Sequence, residues 1–157
     1  RSAVLPSGLI VTLLASTPLL LTGLAAAFAF RMKAWNIGGE GQLYVGAVAA
    51  AGVGLALNGQ SLAVGLPAMV LAGIAGGALW AAIPGVLRAY LHTNEILTSL
   101  MLNYVAALGM YYLIFDSQSH WRDQSSPAAK VFPQGRDIDE ALFWPGFTNG
   151  DVILPDA

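Results

Sequence analysis

The chain contains no cysteine and very little charge. Its 157 residues include seven lysines and arginines and nine aspartates and glutamates, so charged residues make up 10% of the total. Soluble domains average about 25%. Without cysteine there is no disulfide framework and no thiolate zinc site. The shortage of charge excludes an ordinary soluble domain, a disordered acidic chain and a protein with a basic nucleic-acid-binding face, so we expect no nucleic-acid partner.

The few charges that are present are unevenly distributed. Residues 1–115 hold four basic and two acidic residues, a net charge of +2, whereas residues 116–157 hold three basic and seven acidic residues, a net charge of −4. The mean hydropathy is +0.64. The sequence therefore predicts a transmembrane helical region at 1–115 and an extracytoplasmic loop at 116–157. Because the chain begins with Arg1 instead of methionine, we expect it to be a piece of a longer membrane protein.

Four uncharged apolar stretches are long enough, or nearly so, to cross a bilayer. They lie near residues 9–30, 41–57, 62–87 and 96–115. A hydrocarbon core of about 30 Å requires about 20 helical residues. The predicted fold class is therefore all-α: a polytopic membrane helix bundle with about four transmembrane helices. A mostly irregular tail follows, with one short helix near residues 137–143.

The basic residues predict an orientation. Arg31, Lys33 and Arg88 lie in the breaks after the first and third stretches, which share one side of the membrane if all four stretches cross it. By the positive-inside rule that side is cytoplasmic. The turn at residues 58–61 and the acidic tail then lie outside, where Trp121 is placed to anchor at the level of the lipid headgroups.

Small residues recur at helical spacing in the second and third stretches. Helices in lipid associate by close packing, and small residues permit their close approach. The sequence predicts that two stripes of small residues form helix contacts, although such spacing also arises by chance in glycine-rich spans. The stripes are Gly46, Ala50 and Gly54 in the second stretch and Gly73, Gly77, Ala81 and Gly85 in the third.

The most unusual stretch is residues 35–42, W-N-I-G-G-E-G-Q. Its three glycines give a permissive backbone. One interpretation is a broken helix, whose N-terminal amides point at a polar substrate within the membrane. The other is a cytoplasmic turn that caps a helix and places an acid near the helix start. The candidate site residues in this stretch are Asn36, Gly38, Gly39, Glu40 and Gln42.

A second polar stretch leads into the fourth apolar stretch. Glu95, Ser99 and Asn103 recur every four residues and so share one helix face. Polar side chains in a span face other helices or a water-filled path, because lipid leaves them without partners. The alternative is structural: Asn94 caps the helix, and Ser99 and Asn103 bond neighbouring helices. The candidate pathway residues here are Asn94, Glu95, Ser99 and Asn103.

Signatures of catalysis are missing from the sequence. His92 and His120 are far apart in the chain and give no convincing metal pair. The sequence has no serine–histidine–acid set, no cysteine nucleophile and no H-E-x-x-H motif. We therefore expect no enzyme activity, no metal and no cofactor in this chain.

The polar stretches together resemble a known family. Residues 35–42 resemble the F-N-I-G-x-E-G-Q signature of permease subunits of ABC importers for nucleosides and simple sugars, in the ribose and branched-chain amino-acid permease group. Residues 77–88 and 94–104 resemble that family's G-A-L-W-x-x-I-P-G-x-L-K, N-E-V-I and M-L-N-Y motifs, in order and at similar spacing. The resemblance covers roughly residues 16–115. The departures are Trp35 for Phe, Arg88 for Lys and Ile96 for Val.

This resemblance implies the N-terminal part of a multi-pass permease in a bacterial or archaeal cell membrane. It implies as partners a second permease subunit, cytoplasmic ATPase subunits that bind ATP, an extracytoplasmic substrate-binding protein and the lipid bilayer. The family's ATPase-docking loop lies after the next span, and nothing in this chain matches it. The resemblance also favours a place in the translocation pathway for both polar stretches.

The leading hypothesis is a permease subunit of an ATP-driven importer for nucleosides or simple sugars, which works by alternating access. In this hypothesis Glu40, Gln42, Asn94 and Asn103 bond polar cargo or the helices that gate it. ATP hydrolysis resides in a partner subunit. Two alternatives stay open: a non-transporting membrane scaffold or assembly subunit, and a passive channel.

Overall fold

Long helices dominate the computed structural model of the chain. The structure describes residues 4–116, 118–125, 127–143, 146–148 and 151–153. The fourth long helix continues directly into one π-helical turn, Tyr112–Asp116. The four long helices are α1 Val4–Arg31, α2 Gly39–Ala56, α3 Leu62–Leu91 and α4 Glu95–Tyr111.

The segment after α4 contains more regular structure than the sequence predicts. A 3-10 turn falls inside the predicted short helix, and Asp139 starts it by accepting a hydrogen bond from the Ala141 amide (3.2 Å). Two short strands pair antiparallel, so the fold is predominantly, and not purely, helical. The elements are α5 Pro127–Val131, the 3-10 turn Glu140–Leu142, β1 Gly146–Thr148 and β2 Asp151–Ile153.

Two helical segments are long and apolar enough to cross a membrane, Leu62–Leu91 and Glu95–Asp116. Only 6% and 17% of their most apolar windows are buried inside the structure. Apolar surface of this extent is unfavourable in water, so these faces require lipid or further helices. In α1 the comparable apolar segment is Ala15–Arg31, which is shorter than these two segments. The spans predicted at 9–30 and 41–57 stay predictions.

Helix α2 packs along α3 through the predicted small residues. A Cβ added to Gly46 would lie 3.0 Å from the Gly73 carbonyl oxygen, and one added to Gly73 would lie 3.5 Å from the Ala50 Cβ. A Cβ added to Gly77 would lie 3.3 Å from the Gln42 carbonyl oxygen. Larger side chains would force the helices apart, so the stripe prediction is confirmed at these four small residues.

Two glycines depart from the predicted stripes. Among the described residues nothing lies within 4 Å of a Cβ built on Gly85, so its place in a contact stripe stays a prediction. Gly76, which the spacing left out, would place a Cβ 2.8 Å from the Ala49 Cβ. The i, i+4 rule missed Gly76 because packed helices also use the i, i+3 rows of their surfaces.

The two ends of the α2–α3 pair differ in their contacts. At one, which we call the basic end, the Arg88 guanidinium donates to the Lys33 carbonyl oxygen (3.0 Å). At the other, Gly59 in the α2–α3 turn has a φ of +84°, which glycine adopts without strain. The Gly59 amide donates to Asp139 Oδ2 (3.1 Å). The tail and the α2–α3 turn therefore lie at the same end of the molecule.

Candidate functional site

Asn94 forms the N-terminus of α4. Its Oδ1 accepts hydrogen bonds from the amides of Ile96 (3.0 Å) and Leu97 (3.4 Å). These bonds satisfy two of the amides that a helix start leaves without intrahelical partners. The Asn94 side chain is therefore engaged in capping, as the structural alternative for this stretch proposed.

The predicted polar face of α4 meets the loop between α1 and α2. Glu95 Oε1 accepts the Trp35 amide (2.6 Å), and Ser99 Oγ accepts the Ile37 amide (3.2 Å). Ser99 is buried. The amides of a non-helical loop need partners from elsewhere when water is excluded. The side chains of α4 supply those partners.

Asn103 makes the third contact on this face and bonds in both directions. Its Oδ1 accepts the Gly41 amide at the start of α2 (2.8 Å), and its Nδ2 donates to the Ile37 carbonyl oxygen (3.1 Å). We call Glu95, Ser99 and Asn103 the polar row. The polar row holds the α1–α2 loop and the first turn of α2 against a single face of α4.

Two glycines let the backbone of this stretch approach the polar row. A Cβ added to Gly41 would lie 2.9 Å from Asn103 Oδ1, and one added to Gly38 would lie 3.1 Å from the Ser99 Cβ. By contrast, nothing among the described residues lies within 4 Å of a Cβ built on Gly39. Close approach therefore requires glycine at positions 38 and 41, whereas position 39 has room for a side chain.

Trp80 of α3 lies on the other side of Gly41 and was missed as a site residue. A Cβ added to Gly41 would lie 3.0 Å from Trp80 Nε1. That nitrogen is buried and has no hydrogen-bond partner among the described residues. Sequence reasoning used Trp80 only as part of a motif. The available signal was an indole within a run of aliphatic and glycine residues, because its N–H requires a polar partner when buried.

An ion pair between Arg88 and Glu95 joins the loops at the basic end. Arg88 also donates to the Lys33 carbonyl oxygen, and Glu95 also accepts the Trp35 amide. The pair therefore ties the end of α3 and the start of α4 to the α1–α2 loop. The sequence marked Arg88 as a cytoplasmic charge and as a motif position but did not predict the ion pair, because its partner lies across a helix break.

Glu40 and Gln42 lie outside the polar row. Glu40 is exposed and accepts a hydrogen bond from the Tyr44 hydroxyl (2.9 Å), one turn along α2. Gln42 lines a groove of about 550 Å³ between α2, α3 and residues 138–143 of the segment after α4, whose other lining residues are apolar. Asn36 instead accepts the Gly38 amide (2.8 Å) and stays with the loop. The structure thus joins the polar row to the α1–α2 loop and to the start of α2, whereas Glu40 and Gln42 have separate surroundings.

The chemistry available in this region is hydrogen bonding. Its side chains are carboxamides, a hydroxyl and carboxylates, of which one is paired with arginine. Within the described part of the chain no cluster of histidine, aspartate and glutamate could hold a metal ion. The arrangement suits the positioning and binding of polar groups.

A comparison with protein families identifies the chain. The family model described as the permease component of a branched-chain amino acid transport system matches residues 8–144. The chain belongs to this permease family. The match covers both polar stretches and α2 to α4, so the resemblance inferred from the motifs is confirmed. A permease of this family is an integral membrane protein, and its subunit type is not catalytic.

Three relatives of this permease are named as permease proteins of ABC transporters. The guanosine transporter permease NupP of Bacillus subtilis is 41% identical over 69% of the chain. The glucose transporter permease TsgB13 of Haloferax volcanii is 37% identical over 94%, and the nucleoside transporter permease NupB of Lactococcus lactis 35% identical over 66%. The chain spans 31%, 38% and 28% of their respective lengths, about a third of each. No solved structure matches the chain.

Proposed function

We propose that this chain is the N-terminal part of the translocation subunit of an ATP-driven importer for nucleosides or simple sugars. The observation that carries the proposal is its similarity to permease proteins of guanosine, nucleoside and glucose ABC transporters. Two of the three relatives carry nucleosides in their names and one a sugar. These cargoes share ring hydroxyls, which need hydrogen-bond partners when they leave water.

In this proposal all four long helices cross the membrane and the basic end is cytoplasmic. Arg31, Lys33 and Arg88 then face the cytoplasm, as the positive-inside rule favours. The tail lies on the extracytoplasmic side together with the α2–α3 turn, and the Asp139–Gly59 hydrogen bond supports their common placement.

Glu40 and Gln42 are proposed to face the translocation pathway, while the polar row holds the start of α2 in position beside it. The support is that the candidate residues have different surroundings: some are bonded to backbone and others are not part of that network. Glu40 is exposed, and the partly buried Gln42 belongs to the lining of the groove. The bonding atoms of Ser99 and Asn103 are already engaged with backbone.

The subunit is proposed to act with a second permease subunit, cytoplasmic ATPase subunits and an extracytoplasmic substrate-binding protein. ATP binding and hydrolysis are assigned to the ATPase partner, because the sequence contains no phosphate-binding loop. The docking loop that the resemblance implies lies after the next span, so the energy for alternating access would reach these helices through contacts made outside residues 1–157.

Uptake by the full-length permease, reconstituted with its ATPase and binding protein, tests the role of Glu40. Glu40→Ala should lower uptake and cargo-stimulated ATPase activity about tenfold or more. It should leave the Tm unchanged, because the side chain is exposed. Tyr44→Phe removes only the hydroxyl that bonds Glu40, so it is the matched control and should transport normally.

Asn103→Ala should lower both uptake and the Tm, because it leaves the buried Gly41 amide without a partner. If uptake and ATPase stimulation are unchanged in both Glu40→Ala and Asn103→Ala, the site part of the proposal is wrong. Cargo flux in the absence of the ATPase would identify a passive channel instead. Wild-type permease that never responds to nucleoside or sugar would point to a scaffold.

A further inference from the structure

The segment after α4 packs against the α2–α3 pair at separate points. We call its described residues, 118–125 and 127–143, the tail segment. Trp121 makes the first contact: its Nε1 donates to the Val48 carbonyl oxygen (2.9 Å), and a Cβ on Gly52 would lie 2.9 Å from its ring. The sequence predicted a headgroup anchor here, whereas the polar atom of Trp121 is engaged with α2.

A second contact buries apolar side chains of the tail segment against both helices. Leu142 is only 2% exposed, and a Cβ on Gly65 of α3 would lie 3.3 Å from its Cγ. Ile138 Cδ1 lies 3.2 Å from the Cβ position of Gly54 in α2. A Cβ at position 65 would collide with Leu142 Cδ2, so Leu142 needs glycine there, whereas a Cβ at position 54 would make a tight contact with Ile138.

Asp139 makes the third contact, at the α2–α3 turn. Its Oδ2 accepts the Gly59 amide (3.1 Å), and its own amide donates to Asn58 Oδ1 (3.3 Å). Its other carboxylate oxygen starts the 3-10 turn through the Ala141 amide (3.2 Å). One residue thereby bonds the turn between two helices and also shapes the chain that carries Leu142.

The tail segment is also bonded internally, so the three contacts belong to one piece of structure. Arg122 and Gly135 form an antiparallel bridge. The Asp123 amide donates to the Gln134 carbonyl oxygen (3.0 Å), and the Arg136 amide donates to the Trp121 carbonyl oxygen (2.7 Å). Displacing Trp121 from α2 would therefore pull on residues 134–136, which lead directly to Ile138 and Asp139.

We infer that Trp121, Asp139 and Leu142 are positioning residues that make the tail segment and the α2–α3 pair one body, which stays together through the transport cycle. Transporters work by moving rigid groups of helices against one another, and packed contacts between such groups exchange as they move. Contacts within one group persist. The transport cycle in this inference rests on the proposed function, whereas the packing of the tail segment does not.

Thiol labelling tests the inference, because the chain has no cysteine and each introduced one is therefore unique within it. Leu142→Cys and Phe143→Cys form a matched pair, since Leu142 is 2% and Phe143 53% exposed. In detergent-opened membranes, with other cysteines of the full-length permease replaced, a maleimide should label position 142 at least about tenfold more slowly than position 143. The difference should be the same without nucleotide, with a non-hydrolysable ATP analogue, and after vanadate trapping. Equal labelling, or loss of protection in one state, would overturn the inference.

The role of Asp139 is tested in the Leu142→Cys background. Asp139→Ala should raise labelling at position 142 towards that of Phe143→Cys, because the turn loses its acceptor. Asp139→Asn keeps an acceptor oxygen and should restore most of the protection. A residue with no positioning role would leave labelling unchanged in both variants, and that result would contradict the assignment.

A cross-link provides a second test that does not depend on accessibility. The double variant Gly65→Cys with Leu142→Cys is suited to a disulfide. The Cβ of residue 65 would lie 3.3 Å from the position that Cγ of Leu142 occupies, which is where the sulfur of the second cysteine would be. The oxidised permease should transport within about twofold of its reduced form. Failure of the disulfide to form, or uptake abolished by oxidation and restored by reductant, would overturn the inference. Labelling and cross-linking yields are measured without cargo. If the permease does not carry nucleosides or sugars, position 142 should still be protected from the maleimide, and only uptake should be absent.

Discussion

Glycine has three different uses along α2 and α3, and the neighbour from a distant segment decides which one applies. At the basic end Gly41 lets the start of α2 approach Asn103 of α4. In the middle Gly46 brings α2 against α3. Near the α2–α3 turn Gly65 leaves space for Leu142 of the tail segment. The same residue type therefore serves a polar contact, a helix contact and an apolar contact.

At the residue scale, Gly41→Ala and Gly39→Ala should behave differently. A Cβ at position 41 would meet Asn103 and Trp80 at 2.9 and 3.0 Å, whereas nothing described lies within 4 Å of one at position 39. Gly41→Ala should therefore destabilise the permease by about 1–3 kcal/mol, the usual range for overpacking. Gly39→Ala should be neutral or stabilising, because alanine is the better helix former. Thermal unfolding in detergent measures both, and equal Tm values would contradict the close contact at Gly41.

At the element scale, the sequence predicted the later helices closely. Predicted stretches 62–87 and 96–115 correspond to α3, Leu62–Leu91, and to the helical segment Glu95–Asp116. The ends of these helices could be predicted because each long uncharged run is bounded by polar residues, such as Asn94, which caps the start of α4. The packing of α2 on α3 was predictable only in part. Small residues show that a helix can approach another closely, but the partner's rotation about its own axis decides which of them touch.

Gly76→Ala and Gly85→Ala provide the corresponding test of helix packing. Position 76 would place its Cβ 2.8 Å from the Ala49 Cβ, and position 85 has open space around it among the described residues. Gly76→Ala should lower stability by about 1–3 kcal/mol. Gly85→Ala should raise it by up to about 1 kcal/mol through helix propensity. Opposite shifts in Tm are expected, and a loss of stability in Gly85→Ala alone would contradict this arrangement of α3.

At the scale of the whole molecule, the two ends of the helices are held by different chemistry. At the basic end, the Arg88–Glu95 ion pair joins α3 to α4, and the polar row bonds the α1–α2 loop and the first turn of α2. The other end is joined by the tail segment through Trp121 and Asp139. The two clusters of contacts share α2, so displacement of the tail segment and displacement of the loop both act on that helix.

The tail segment should loosen in mild acid because of Asp123. The Ser125 hydroxyl (2.6 Å) and amide (2.8 Å) and the Gln134 side-chain amide (3.3 Å) donate to its carboxylate and hold its pKa below the usual value. The unfolded segment therefore takes up a proton first as the pH falls. The stabilisation is fully present above the ordinary aspartate pKa of about 4, and is lost as the pH drops through the lower native pKa.

Hydrogen exchange of residues 118–136, followed by mass spectrometry from about pH 6 to about pH 3 with correction for intrinsic rates, measures this loss. Protection should fall in the acid part of the range in the wild type. Asp123→Asn should flatten the dependence, because an amide does not titrate. Asp137→Asn, at an exposed position of the same segment, is the control and should follow the wild type. A wild-type profile that survives in Asp123→Asn would assign the acid sensitivity to another group.

The sequence by itself determined the membrane class, the long helices and the family, because these depend on local properties: uncharged runs, capping residues and ordered motifs. It also placed Glu95, Ser99 and Asn103 on one face, since helical periodicity alone dictates that. Only the tertiary structure decided what the face meets. The polar row bonds the backbone of the α1–α2 loop and of Gly41 in α2, at separations of 60 to 66 residues along the chain. The packing of the tail segment on α2 and α3 was likewise decided by the tertiary structure. Leu142 is buried and Asp139 is bonded by residues that are distant in the sequence, and no local sequence pattern predicts those partners.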